Sequence, residues 1–479
     1  MVYRGKPSKS CRECRRRDIK CDKKKDGCSQ CSRAHIPCSR YADPAKLMIH
    51  DETHSTIARA RQKRVSQGPS CPGPLSLNLL PTVEDRAKLL YASQYIGESS
   101  ATSLFSLIRV FYPPKPDPSS LLGTAVRTTF LAFFSSLHES SSVLYEARVN
   151  YGLALTLARK AIQSPEQART DATLFCLLLL SVFERFAHSG QGELLVSDGH
   201  LQGALGLMFL RDDSQFEGSV GITMLLQLSE LIAINCLANE SDIPSSLLSL
   251  RLRALRSVDS SSPRWRFSEV LLQYAHLKNL IRTGLPHAQA ILRAELLDHE
   301  LDQLSQELLP RNQVPLPLPE PTGQPDRCPD HKTRKGLNNI RVVRILLAES
   351  IREQSTPLLR TSTDHAGLVM ERLHRSTRTS SSLSLEICSS IPYSNSGRSL
   401  TSDLSSVQVA SLSFHLYVAK EAGVIPDQLR LSILEQMQAL QQKQLPGHQR
   451  LLAELQERPH QRPNVWKSWL KFGKEDFSV

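Results

Sequence analysis

Aromatic residues make up only 6% of this chain, and glycine contributes just 22 of its 479 positions. With Leu and Ala dominating the apolar stretches, that scarcity favours helices over β-sandwiches. Long apolar runs are also missing. The longest, Leu174 to Phe183 with Ser181 inside it, is about half the ~20 residues a bilayer crossing requires and reads as a buried helix face. No apolar stretch precedes the basic N-terminal region, so neither a secretory signal nor a membrane anchor is expected. The chain has no G-x-x-x-x-G-K-[ST] and no G-x-G-x-x-G, and Asp298-His299-Glu300 lacks the H-E-x-x-H spacing of a zinc peptidase and reads as a solvated face. His200 has Glu193 and Asp198 near it in sequence, but no nucleophile beside them, so it is expected to be a helix-start histidine satisfied by its neighbours. Catalysis is therefore not expected.

What is present is charge, and it is concentrated. Of the net +12, residues 1–64 supply +11, with 18 Lys/Arg against 7 Asp/Glu. The remainder is balanced at 41 against 40. A basic excess confined to one end suits a polyanion, because each phosphate neutralised releases condensed counterions. A chain of this length with 40% hydrophobic residues supports one or two domains plus a small appendage.

Cysteines punctuate the basic end. Cys11, Cys14, Cys21, Cys28, Cys31 and Cys38 read as C-x2-C-x6-C-x6-C-x2-C-x6-C, two equal units joined by six residues. Without an export signal these are expected to be reduced thiols, for which metal is a better partner than disulfides. Each C-x2-C pair can hold two thiolates toward one Zn²⁺, and the third cysteine folds back onto the same ion. Two tetrahedral ions need eight ligand positions, so six sulfurs suffice only if two of them bridge. By the symmetry of the repeat the bridging pair occupies equivalent positions, and we assign Cys11 and Cys28. A single four-cysteine site, which leaves two cysteines unexplained, and three disulfides remain as alternatives. Cys71, Cys176, Cys236, Cys328 and Cys388 show no ligand spacing, and Cys176 and Cys236 are expected to be buried hydrophobes.

Residues 11–38 resemble the DNA-binding cluster of the fungal binuclear zinc-cluster transcription factors. Cys11-Arg-Glu-Cys14-Arg-Arg-Arg followed by Ile19-Lys20-Cys21-Asp22 carries the likeness. The resemblance implies two Zn²⁺ per chain, bridging by the first and fourth cysteines, and a short helix in the major groove that reads a CGG-like triplet. By position, Arg15, Arg16, Arg17 and Lys20 are its candidates for base and phosphate contacts, with Lys23, Lys24 and Lys25 along the backbone. Arg can bond bidentately to guanine while Lys neutralises phosphate. Asp18 stands where the family commonly has a base-contacting lysine, and Asp26-Gly27 replaces a loop that usually carries proline.

The rest divides into a basic helix and linker over 46–84, a helical body over 85–460, and a polar tail over 461–479, after a zinc-cluster domain at 1–45. Arg59 to Arg64 suits nuclear import or phosphate contact. No heptad repeat follows the cluster in 41–66, so a coiled coil there is not supported. Ser164-Pro-Glu-Gln167 carries a helix-start signature, and helical periodicity runs through 174–186, 201–210, 222–237, 270–281, 291–308, 338–351, 407–422 and 426–443. Two mobile insertions are expected, near 309–335 from its prolines and near 376–406 from its Ser/Thr content. The body resembles the fungal-specific regulatory domain in four stretches: His200-Leu-Gln-Gly-Ala-Leu205, Asn338-Asn-Ile-Arg-Val-Val-Arg344, Ile387-Cys-Ser-Ser-Ile-Pro-Tyr393 and Leu416-Tyr-Val-Ala419. The fold expected is mainly α: a small two-zinc, six-cysteine cluster, a linker, and a large all-helical regulatory domain. The resemblance implies a nuclear transcription regulator of metabolic or secondary-metabolite genes, partnered by double-stranded DNA and the transcription machinery. It leaves homodimer and monomer both open. The alternative is a co-regulator or protein-interaction module that has lost specific DNA recognition.

Overall fold

The structure is a computed structural model, described here for residues 9–41, 81–96, 105, 107–112, 117–187, 199–309, 330–361, 366–391, 404–441, 449, 453, 464–472 and 477–479. It divides into two units, Met1–Leu79 and Leu80–Val479, each with its own core. The first holds two short helices, α1 (Arg12–Arg16) and α2 (Ser29–Arg33). Of the basic helix and linker expected over 46–84, residues 46–80 lie outside the described residues.

The described residues of the second unit form helices and the turns that join them, with no strand among them, as expected. Its elements are α3 (Val83–Tyr91), α4 (Leu107–Phe111), α5 (Leu121–His138), α6 (Ser141–Gln163), α7 (Pro165–Ala168), α8 (Asp171–Ala187), α9 (Gly199–Leu210), α10 (Ser219–Asn239), α11 (Ser245–Ala254), α12 (Pro263–Arg282), α13 (His287–Leu308), α14 (His331–Thr361), α15 (Ala366–Ser389), α16 (Ser406–Glu421), α17 (Asp427–Gln441) and α18 (Val465–Phe472). Local chemistry starts many of them. Thr82 and Asp85 close a capping box on α3, Ser405 and Gln408 do the same on α16, and Ser262 caps α12 ahead of Pro263.

The core gathers around α8 and α10, which are buried on nearly every side. By length and composition α10 could cross a membrane, but 89% of its apolar window is buried in protein. It also carries Glu230, 1% exposed, whose two oxygens each accept from the Arg264 guanidinium at 3.2 Å. Cys176 and Cys236 are buried apolar residues, as expected.

The helix-start signature at Ser164 is borne out: Ser164 accepts from the Gln167 N–H with Pro165 at the first position, and the helix it starts, α7, ends after one turn. Thr170 then caps α8 by accepting from Thr173 N–H at 3.2 Å. Three expectations are corrected. The serine-rich stretch 376–384 is helical, inside α15. Ser376, Ser380 and Ser384 recur every fourth residue on its buried side beside Leu383 and Ile387, where small side chains let α14 and α16 approach. Likewise α14 begins at His331, capped by Asp330, which shortens the expected mobile insertion; residues 310–329 and 392–403 lie outside the described residues. Finally, 464–472 is not a polar tail. Trp466, Trp469 and Leu470 are buried, and Phe477 packs against Trp466, Trp469, Phe267 and Phe414.

A buried polar link closes this end. Asn339 donates to the Ser478 carbonyl at 2.9 Å, which leaves its Oδ1 to accept from His415 Nε2 at 2.8 Å.

Candidate metal centre and nucleic-acid interface

The first unit is built twice. Cys11 and Cys28 are the N-caps of α1 and α2, and each sulfur accepts the N–H three residues on, from Cys14 and Cys31, at 3.4 Å. Each helix stops in the same way. Asp18 (φ 50°) and His35 (φ 49°) take the left-handed conformation just beyond the helix. Asp18 N–H then bonds Arg15 and Ile19 N–H bonds Cys14, while His35 bonds Ser32 and Ile36 bonds Cys31. This is a Schellman stop in both halves. Lys23 (φ 55°) and Arg40 (φ 57°) repeat the left-handed turn after the third cysteine of each unit.

The halves also cap each other. Asp22 accepts the Ser29 N–H at 3.0 Å, at the start of α2, and Ser39 Oγ accepts the Arg12 N–H at 3.0 Å, at the start of α1. Bonds from Ser29, its side chain first, hold the Asp22 carboxyl below the usual range. Sequence reasoning met Asp22 only as part of the motif and Ser39 not at all, and assigned a capping role to neither, although each follows the third cysteine of its unit.

Between the helices the sulfurs converge. Cys11, Cys14, Cys21 and Cys28 form one group, and Cys11, Cys28, Cys31 and Cys38 form another, with all ligand atoms in each within 4.8 Å of one another. The groups share Cys11 and Cys28. Three of the sulfur pairs, Cys14–Cys28, Cys11–Cys28 and Cys11–Cys31, are 3.5, 3.6 and 3.7 Å apart. A tetrahedron of Zn–S bonds of about 2.3 Å has edges of about 3.8 Å, so these spacings suit zinc and are far from the ~2.05 Å of a disulfide. Desolvation pushes the Cys14 thiol up and that of Cys31 up to about 12, whereas backbone N–H bonds hold Cys38 down to about 7. Removing water from sulfurs this close disfavours thiolates until a cation is supplied.

Residues 9–47 match the family model of the fungal Zn(2)-Cys(6) binuclear cluster domain. The chain carries a fungal binuclear zinc-cluster domain. No curated protein and no solved structure matches the chain. The domain binds two zinc ions through six cysteines.

Around the zinc-cluster domain's sulfurs the surface is cationic, with eleven Lys/Arg against four Asp/Glu in residues 9–41. Arg15, Arg16, Arg17, Asp18, Lys20, Lys23, Lys24 and Lys25 are all exposed. The helix expected to enter the groove, α1, runs through the first cysteine pair, Arg12 to Arg16, so Arg17 and Asp18 belong to its stop and Lys20 to the chain that follows. Arg16 lies 3.6 Å from Glu13, while Arg17 donates to the Gln30 carbonyl at 3.4 Å and so ties the end of α1 to α2. Tyr41 donates to the Lys24 carbonyl and fastens the lysine stretch to the domain. Gly27, at φ 124°, shows why glycine stands in the joining loop: side chains rarely adopt that conformation.

The other clusters weighed in the sequence resolve into packing contacts. Glu193 and Asp198 lie outside the described residues. His200 Nε2 instead meets the Tyr151 hydroxyl at 2.7 Å and Glu184 at 3.4 Å, and burial with the Glu184 bond pushes the Tyr151 phenol well up. Asp298 and Glu300 are not a solvated face: Asp298 pairs with Arg344 at 2.8 Å and Glu300 with Arg266 at 2.7 Å, joining α13 to α14 and α12. Among the described residues, only the two cysteine groups could hold a metal ion.

Proposed function

We propose that this protein is a sequence-specific regulator of transcription that reads DNA with the zinc-cluster domain. The observation that carries the reading is a cross-capped two-helix cluster, sulfurs at zinc spacing, with seven exposed cationic side chains between Arg15 and Lys25. Cys11 and Cys28, common to both sulfur groups, would be shared by the two zinc ions, and Cys14, Cys21, Cys31 and Cys38 would complete the ligand sets. Bound zinc supplies the rigidity that so short a segment cannot draw from an apolar core. Arg15, Arg16 and Arg17 then approach base edges and phosphates in the major groove, and Lys20, Lys23 and Lys24 neutralise backbone charge.

The helical body acts as a fungal-type regulatory domain, the protein works in the nucleus with the RNA polymerase II machinery, and its targets are metabolic genes, secondary-metabolite clusters among them. These follow from the family likeness. The test is selection of bound duplexes from a random DNA pool by the zinc-loaded protein, followed by a salt series on selected and random duplexes. A reader prefers its selected site by ~10³ or more. Asp18 favours one competing reading, a co-regulator without specific recognition, and for that protein the two duplexes bind alike.

A further inference from the structure

Helix α6 buries Val143, Ala147, Ala154, Ala158 and Ala161 and packs on α5 and α8. Its opposite side carries Tyr145, Val149 and Leu153 at 72%, 57% and 49% exposure, four residues apart, so they form one apolar stripe. Gly152 stands beside Leu153, and a Cβ there would meet nothing within 4 Å. Glycine is among the poorest helix formers, and nothing packed against it among the described residues accounts for one in the middle of 23 helical residues.

The charges bordering the stripe are self-complementary. Glu146 and Lys160 lie seven residues before and after Leu153, about two turns either way on the same flank. In a second copy laid antiparallel about Leu153, each Glu146 meets the other copy's Lys160, Leu153 meets Leu153 on the dyad, and Val149 comes beside Thr156. An isologous two-fold contact requires this kind of self-matching surface. Glu146 is 45% exposed even with Arg127 at 3.4 Å, and so retains an open side for a second cation.

We propose that the exposed face of α6 is a homodimerisation surface, paired antiparallel with a second copy of this chain. The proposal is independent of the DNA-reading assignment, since self-association is measured without DNA. Sedimentation velocity of the full zinc-loaded chain tests it, with circular dichroism to show that each variant keeps its helices. The wild type is expected to dimerise, and Leu153→Asp to remain monomeric. Glu146→Lys and Lys160→Glu should each weaken self-association at least about tenfold by setting like charges opposite each other. Mixing these two variants should restore the dimer as a heterodimer, because both cross-pairs become attractive again. A wild type that stays monomeric, single charge variants that associate as tightly as wild type, or a mixture that fails to recover would each overturn the proposal. A dimer that survives Leu153→Asp would do so as well, by placing the interface elsewhere.

Discussion

Removing zinc from the intact protein should unfold the first unit and leave the second standing. The buried set in residues 9–41 consists of Cys11, Cys14, Cys21, Cys28 and Cys31, with Ile36, Cys38 and Tyr41 partly packed against them. Among the described residues of this unit no Leu, Val or Phe stands behind the sulfurs, so the metal must supply nearly all of their folding energy, on the order of 10–16 kcal/mol apparent per structural zinc near neutral pH. The second unit has its own core and should keep its helical signal. Since burial raises the thiols of Cys14 and Cys31, metal uptake must displace their protons, and zinc affinity should fall as pH is lowered. Metal analysis should give two zinc per chain, and a chelator titration followed by amide NMR should collapse the dispersion of the first unit alone. Cys28 belongs to both sulfur groups and Cys38 to one, so Cys28→Ala should lose both ions and Cys38→Ala should lose less. One zinc per chain, three disulfides, or amide dispersion that outlasts the metal would refute the reasoning.

Arg16→Ala should cost ~1–3 kcal/mol of DNA binding and relax one position of the site, whereas Lys24→Ala should weaken all sequences alike and lower the salt slope by about one. Anisotropy titrations at several salt concentrations separate the two, and equal sequence-independent losses would argue against readout by α1. Asp18 makes no ion pair with Arg15 or Arg17 among the described residues, and on DNA bound as proposed its carboxylate would lie within a Debye length, ~8–10 Å, of the phosphates. The selected site should therefore differ from CGG in at least one base, and Asp18→Gly, which keeps the left-handed stop, should bind CGG-like duplexes more tightly than wild type. Asp18→Lys should do so too, less a conformational cost of up to ~1–2 kcal/mol. Identical preference and affinity in all three would confine Asp18 to ending the helix. His415 is held down to about 3 by burial, so it is neutral in the fold, while the unfolded chain takes up a proton below ~6.5. Its contribution to stability is complete above that pH and is lost at up to ~1.4 kcal/mol per unit as pH falls toward the folded value. Urea unfolding at pH 7 and pH 5 should show a smaller drop for His415→Gln than for wild type, and equal drops would contradict the assignment.

The zinc-cluster domain was legible because its constraint is local: six thiols at fixed spacing within 28 residues, where geometry follows from ligand count. Helix positions were legible from apolar period. What stayed hidden depends on partners far along the chain. The serines of α15 read as a disordered composition, and only the packed neighbours reveal that their spacing of four is a contact face. Trp466 and Phe477 look like an isolated polar ending until Phe267 and Phe414 are placed beside them. The Glu230–Arg264 pair spans 34 residues and has no local signature. At the site itself, Arg17 read as a groove contact but is partly engaged with Gln30.

The reciprocal bonds of Asp22 and Ser39 make each half of the zinc-cluster domain the foundation of the other. A half standing alone would have three sulfurs where zinc wants four, and a first helix turn with an unanswered N–H. Assembly is therefore all or none. When zinc is scarce, the population should divide into chains with complete clusters and chains with none, so that metal supply sets how many molecules can read DNA and not how well each one reads it.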